Sequence, residues 1–147
     1  MGFKILVVEN EIVIADELCL ILSRHGYQVL EPALSYSEAI AAFEQEQPQL
    51  AILDLRLGST KTGLDVARYI KHRSQIPLIF FTACGDRWSL AEMAELNPLA
   101  CLQKVFTKRD LLERVGEAAR SANARSGTTS QAKTHEKKAI GQTQFRP

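Results

Sequence analysis

The run Leu50-Ala-Ile-Leu-Asp54 sets the strongest limit on what this chain can fold into. Four apolar residues lead straight into one carboxylate, and a loop of Gly58, Ser59, Thr60, Lys61, Thr62 and Gly63 follows closely. Such a run reads as a strand buried on both faces, the kind found in parallel sheets covered by helices. Asp54 then stands at the carboxyl end of the strand, where side chains leave the packed layer and meet loops and solvent. Taken alone, Asp54 is equally a loop cap.

The rest of the chain repeats the theme. Lys4-Ile-Leu-Val-Val8 is a short strand that stops at Glu9-Asn-Glu11, and apolar residues at Val13, Ile14, Leu18, Ile21 and Leu22 predict a helix from Ile12 to about His25, halted by Gly26. Tyr27 to Ala33 reads as a weaker strand, and Ser35-Tyr-Ser-Glu38 as a capping box for a helix carrying Ala39, Ile40 and Phe43 before Pro48. After the Asp54 strand a helix follows with Leu64, Val66, Ala67 and Ile70. Pro77 to Phe81 is a fourth strand ending in Thr82-Ala-Cys-Gly85, a helix is expected from about Asp86 to Leu96, and Ala100 to Gln103 is a fifth strand ending in Lys104. Thr107-Lys-Arg-Asp110 caps a last helix with Leu111, Leu112, Val115 and Ala118 inward. Alternating strands and helices of this kind imply an α/β doubly wound fold with five parallel strands and five helices.

Composition bounds the domain count and the partners. With 147 residues, 46% apolar and 24% charged, the chain suits one domain plus a tail. Residues 1–122 form the domain, and 123–147 read as a low-complexity basic tail with only Ile140 and Phe145 to bury. Residues 1–120 hold 13 Lys/Arg against 16 Asp/Glu, whereas 121–147 hold 5 against 1. The domain is mildly acidic, so direct DNA binding by it is not expected. Cys19, Cys84 and Cys101 lack metal-ligand spacing and suit a reducing compartment. No signal peptide and no membrane-spanning run is evident, and a cytoplasmic protein is expected.

The groups at the strand ends share one chemistry. Glu9 and Asn10 end the first strand, Asp54 the third, Thr82 the fourth and Lys104 the fifth. Brought together, carboxylates would hold a hard cation such as Mg²⁺, while a hydroxyl and an ammonium pair with phosphoryl oxygens. Each residue singly is also an ordinary solvated strand end.

Ile5-Leu-Val-Val-Glu-Asn-Glu11, Leu53-Asp-Leu-Arg-Leu57 with Gly63, Phe81-Thr-Ala83 and Lys104 carry a resemblance. From about Phe3 to Ser121 the chain resembles the receiver domain of two-component response regulators. That likeness implies a flavodoxin-like sheet of order 2-1-3-4-5 and a single-domain regulator. Asp54 would be the phosphoacceptor, fed by a sensor histidine kinase, a phosphotransfer protein or a small phosphodonor. Glu9, Asn10, Asp54 and the backbone carbonyl of Arg56 would bind Mg²⁺, Thr82 would hydrogen-bond the phosphoryl oxygens, and Lys104 would pair with them. Catalysis beyond self-phosphorylation and dephosphorylation is not implied. Homodimerisation through the fourth and fifth helices and the fifth strand rests on the resemblance alone.

The sequence departs from the family at three positions. Asn10 replaces an acid that ligates the metal, which predicts weaker Mg²⁺ binding. Cys101 stands where an aromatic commonly moves with the threonine, and Val105 stands where proline is usual. Cys84, two residues after Thr82, occupies a lifetime-tuning position and is expected to be an inert small side chain. The competing reading is a pseudo-receiver, an interaction module independent of phosphorylation. An aspartyl-phosphate hydrolase is disfavoured because Arg56, not a second acid, lies two past Asp54. Trp88 is read as surface packing, His25, His72 and His135 as solvated positions, and the lysines from Lys133 to Lys138 as solubilising the tail.

Overall fold

The computed structural model describes residues 2–83, 90–104 and 106–127. Its elements run β1 (Lys4–Val8), α1 (Ile12–Arg24), β2 (Gln28–Val29), α2 (Tyr36–Glu46), β3 (Leu50–Asp54), α3 (Gly63–Lys71), β4 (Leu78–Thr82), α4 (Leu90–Glu95), β5 (Ala100–Gln103) and α5 (Lys108–Gly127). The strands form one parallel sheet in the order β2-β1-β3-β4-β5. This is the doubly wound arrangement that the alternation of elements implied, in the flavodoxin-like order that the family resemblance implied.

Side-chain alternation along the strands builds two cores. Leu6, Val8, Ala51, Leu53, Leu78 and Phe80 pack against Ala39 and Phe43 of α2, and Leu64, Ala67 and Ile70 of α3. Their neighbours Ile5, Val7, Leu50, Ile52, Ile79 and Phe81 pack against Leu18 and Leu22 of α1, and Leu111, Val115 and Ala118 of α5. All five residues of β3 are buried, as a central strand covered on both faces requires. Each large apolar side chain withdrawn from water in this way contributes about 1.5–3 kcal/mol before ordering entropy is subtracted.

Helix ends follow local chemistry. Thr62 caps α3 with a full capping box: its Oγ1 accepts from the Leu64 and Asp65 amides, and Asp65 Oδ2 accepts from the Thr62 amide at 2.8 Å. Ser35 Oγ accepts from the Glu38 amide, while Glu38 reaches back to the Leu34 amide. Thr107 Oγ1 accepts from the Asp110 amide at the start of α5. Between α2 and α3, Tyr69 donates to Glu44 and Arg73 stacks 3.6 Å from the Tyr69 ring centroid.

Several expectations need adjustment. The second strand shrinks to Gln28–Val29, because Pro32 has no amide to donate, and pairing resumes only at the Val8–Ala33 bridge. On α1 the inner face is Ala15, Leu18 and Leu22, so Val13 falls off the stripe and is 74% exposed. Thr82 is the last residue of β4 rather than the first of a loop. α5 continues past Ala122 to Gly127, so residues 123–127 are helical. The rest of the proposed tail lies outside the described residues, as do Asp86 to Ser89 at the expected start of the fourth helix.

Candidate functional site

Parallel register brings the strand ends together. Val8 pairs with Leu53 and Asp54 with Phe81, so Glu9, one residue past β1, comes up beside Asp54. Thr82 pairs with Gln103, and the Lys104 amide donates to the Thr82 carbonyl at 2.8 Å, which fixes Lys104 just past β5. The alternation that turns Val7, Ile52 and Phe81 toward α1 and α5 carries Glu9 and Asp54 to that same side.

Lys104 closes the cluster. Its Nζ lies 3.1 Å from Asp54 Oδ2 and 3.0 Å from Glu9 Oε1, with Glu11 Oε1 farther out at 3.9 Å. The same ammonium sits 5.5 Å above the Phe81 ring, and Phe106 meets that ring edge-on. Two carboxylates that water barely reaches therefore share one cation, since Glu9 is 0% and Asp54 1% exposed. Partial burial works to lower the pKa of Lys104, but the contacts and charges of Glu9 and Asp54 together outweigh it and raise it.

Glu9 is the strained member of the group. Its Oε2 accepts from the Glu11 amide at 2.8 Å. Its Oε1, although close to the Lys104 ammonium, has no hydrogen bond among the described residues. Burial pushes the Glu9 carboxyl up to about 7, the nearby Asp54 charge adds to this, and the Glu11 amide and Lys104 oppose it.

The loop after β3 holds Asp54 from behind. Asp54 Oδ1 accepts from the Arg56 amide at 3.1 Å, and Gly63 returns to donate to the Leu55 carbonyl at 3.0 Å. At Gly63 a Cβ would collide with the Asp54 carbonyl oxygen and lie 2.7 Å from Leu55 Cα. Only glycine lets the N-terminus of α3 rest on the backbone of the strand end. Gly58, at φ +73°, turns the loop toward the Asn10 amide.

The structure thus joins Glu9, Asp54 and Lys104 through their side chains. Thr82 is half-buried at the adjacent strand end, and Arg56 is tied in by its backbone. Asn10 is exposed beside the Gly58 turn. Sequence reasoning missed the side chain of Glu11 and the Phe81–Phe106 contact. The signal for Glu11 was its place in Glu9-Asn-Glu11, one residue beyond the pair singled out. Val105, Cys84 and Trp88 lie outside the described residues, as do His135 and the lysines of the tail. Cys101 is exposed on β5. Cys19 is a poor nucleophile, its thiol pushed up to about 11 by burial and by the charges of Asp16 and Glu31.

The donor set suits a hard cation. Glu9 is a buried carboxylate whose Oε1 has the Lys104 ammonium at 3.0 Å, Asp54 is a second carboxylate beside it, and the Asn10 side chain and Arg56 backbone carry carbonyl oxygens. No group of three or more His, Cys, Asp or Glu able to hold a metal occurs among the described residues, so a bound cation would depend on those carbonyls and on water. Mg²⁺ fits such a set.

Comparison with known proteins shows the family. Residues 5–116 match the family model of the response regulator receiver domain, and the chain belongs to that family, the receivers of two-component signalling. It is similar to the N-terminal domain of a response regulator/sensory box/GGDEF three-domain protein from Carboxydothermus hydrogenoformans: 28% identity, TM-score 0.75, 84% of this chain and 98% of that one covered. It is also similar to a CheY-like receiver domain protein from Methanospirillum hungatei, at 27% identity and TM-score 0.74 over 85% of this chain and 99% of that one. Receiver domains are phosphoacceptors that work with histidine kinases or phosphotransfer proteins, and they generally bind Mg²⁺ in an acidic pocket. No helix among the described residues is long and apolar enough to cross a membrane.

Proposed function

We propose that the chain accepts a phosphoryl group on Asp54 from the phosphohistidine of a sensor kinase or phosphotransfer protein, in an Mg²⁺-dependent reaction, and signals through contacts with other proteins in the cytoplasm. The observation that carries this reading is the Lys104 ammonium held 3.1 Å from Asp54 Oδ2 and 3.0 Å from the buried Glu9. A structural ion pair has no need of a second buried acid on the same ammonium.

The chemistry is positioning and charge neutralisation. One carboxylate oxygen of Asp54 attacks phosphorus, the P–N bond of the donor breaks, and its electron pair leaves with the imidazole nitrogen. The Arg56 amide and Lys104 orient the carboxylate. Lys104 and the Thr82 hydroxyl would then meet the phosphoryl oxygens. Mg²⁺, held by Glu9, Asn10, Asp54 and the Arg56 carbonyl, would supply the remaining positive charge. The product carries about −1.5 to −2 charge, enough to draw in the ends of β4 and β5 and bias a neighbouring surface between two arrangements.

The donor protein has a landing surface beside the site. Ile12, Val13 and Leu20 on α1 are 56%, 74% and 51% exposed, and Ile12 directly follows Glu11 at the mouth of the pocket. Val13→Glu should therefore slow transfer from a phosphohistidine protein while leaving transfer from acetyl phosphate unchanged. A homodimer through α4, β5 and α5 is a further part of the reading; sedimentation as a monomer with and without phosphodonor overturns it.

The deciding experiment is intact-mass spectrometry after incubation with acetyl phosphate and Mg²⁺. A phosphoryl adduct on the wild type and none on Asp54→Asn is the expected result. Should neither protein gain mass, and beryllofluoride also fail to bind, the phosphorylation-independent module becomes the better reading.

A further inference from the structure

We propose that Glu11 is the charge that makes the pocket competent for a divalent cation, acting from outside the ligand set as the alternative counter-ion of Lys104. This deepens the phosphoacceptor reading above and rests on it. Three carboxylates face the one Lys104 ammonium: Glu9 at 3.0 Å, Asp54 at 3.1 Å and Glu11 at 3.9 Å. With Glu9 and Asp54 both ionised, the group without Glu11 carries a single excess negative charge, a poor match for a dication; with Glu11 the charges balance once a dication is present. Asn10 adds an oxygen but no charge, so the deficit falls to its neighbour in the chain.

Geometry places Glu11 for this part. Glu9 Oε2 accepts the Glu11 amide at 2.8 Å, which folds the backbone so that both side chains reach the same ammonium. Glu11 is the N-cap residue of α1, yet its side chain makes no capping hydrogen bond. The carboxylate has no such structural task to leave. At 62% exposure it is too wet to be a buried ligand and acts through its field. The inner oxygen, Glu9 Oε1, is fully buried and its neighbour is the Lys104 ammonium at 3.0 Å, so a cation arriving there would compete with that ammonium. A cation held by Glu9 and Asp54 would repel the Lys104 ammonium, and Glu11, 3.9 Å from it, is a carboxylate within reach to receive it.

Titration with MgCl₂ followed by two-dimensional amide NMR tests this on the full chain, comparing wild type, Glu11→Gln and Asn10→Asp. Glu11→Gln should weaken Mg²⁺ binding by about 3–10-fold at low ionic strength, and the gap should close near 1 M NaCl, where charges are screened beyond about 3 Å. Asn10→Asp should tighten binding and shrink the effect of adding Glu11→Gln. Wild-type affinity in Glu11→Gln, or a loss that persists unchanged at high salt, overturns the proposal. If the wild type fails to bind and Asn10→Asp binds, Glu11 has no compensating role while the phosphoacceptor pocket stands. If neither binds, the Mg²⁺-dependent reading falls with it.

Discussion

β3 and β5 both deliver a candidate site residue to the same pocket, and they do so by opposite means. β3 is central, buried at all five positions and paired on both sides, so Asp54 is held by the stiffest part of the sheet. β5 is an edge strand whose residues alternate between half-buried and exposed, paired only to β4. The difference teaches which group is free to move. A nucleophile gains from fixed position, whereas a counter-ion has to follow charge as it shifts, and an edge strand with a long side chain beyond its end permits that.

The comparison breaks first on stability. Ile52→Ala should cost about 2–5 kcal/mol by denaturant unfolding, because the central layer closes poorly around a cavity. Cys101→Ser on β5 should stay within about 0.5 kcal/mol. Equal costs would mean that the edge is as tightly held as the centre.

Glu9 sharpens it by pH. Its folded-state value of about 7 stands above the ordinary 4.5, so the folded protein binds this proton more tightly than the unfolded chain. The Glu9 contribution is full below the ordinary value and is lost as pH rises toward the folded one, on the order of 3 kcal/mol across that window. Glu9→Gln should flatten this fall in urea midpoints measured from pH 4.5 to 7.5. A slope unchanged by the substitution would place the strain elsewhere.

Gly63→Ala should cost about 1–3 kcal/mol, since the collision is with backbone and not with a movable side chain. It should also slow phosphorylation by acetyl phosphate, because the displaced atoms belong to Asp54 and Leu55. Loss of stability with an unaltered rate would uncouple the loop from the proposed nucleophile, Asp54. Leu102→Ala, on a half-buried position of β5, should cost only about 1 kcal/mol, read by thermal melting.

What the sequence made legible follows the same divide. β1, β3 and β4 are continuous apolar runs, and a strand buried on two faces can hardly be written otherwise, so Glu9 and Asp54 were found from the points where the runs stop. Lys104 was found the same way from the weaker Ala100 to Gln103 run. Val13 misled because one apolar residue near the start of a helix fits two neighbouring stripes, and the packing of Ala15 and Leu18 decides between them. Pro32 was visible, but its effect on β2 depends on which strand lies alongside. The reach of Glu11 to Lys104 comes from a hydrogen bond between a side chain and its own backbone two residues on, superposed on contact across 93 positions of sequence, and no periodicity encodes that. The Phe81–Phe106 pairing also joins separate elements, and no periodicity encodes it either.

The seat of α3 on the backbone of Asp54 and Leu55 has an evolutionary corollary. Ser59, Thr60 and Lys61 are exposed, so residues there can be exchanged with the structure registering little of it, whereas Gly58, at φ +73°, is held to glycine. Gly63 is the point at which that freedom ends. A lineage descending from this chain can therefore drift across the crest of the loop for as long as its foot is left alone.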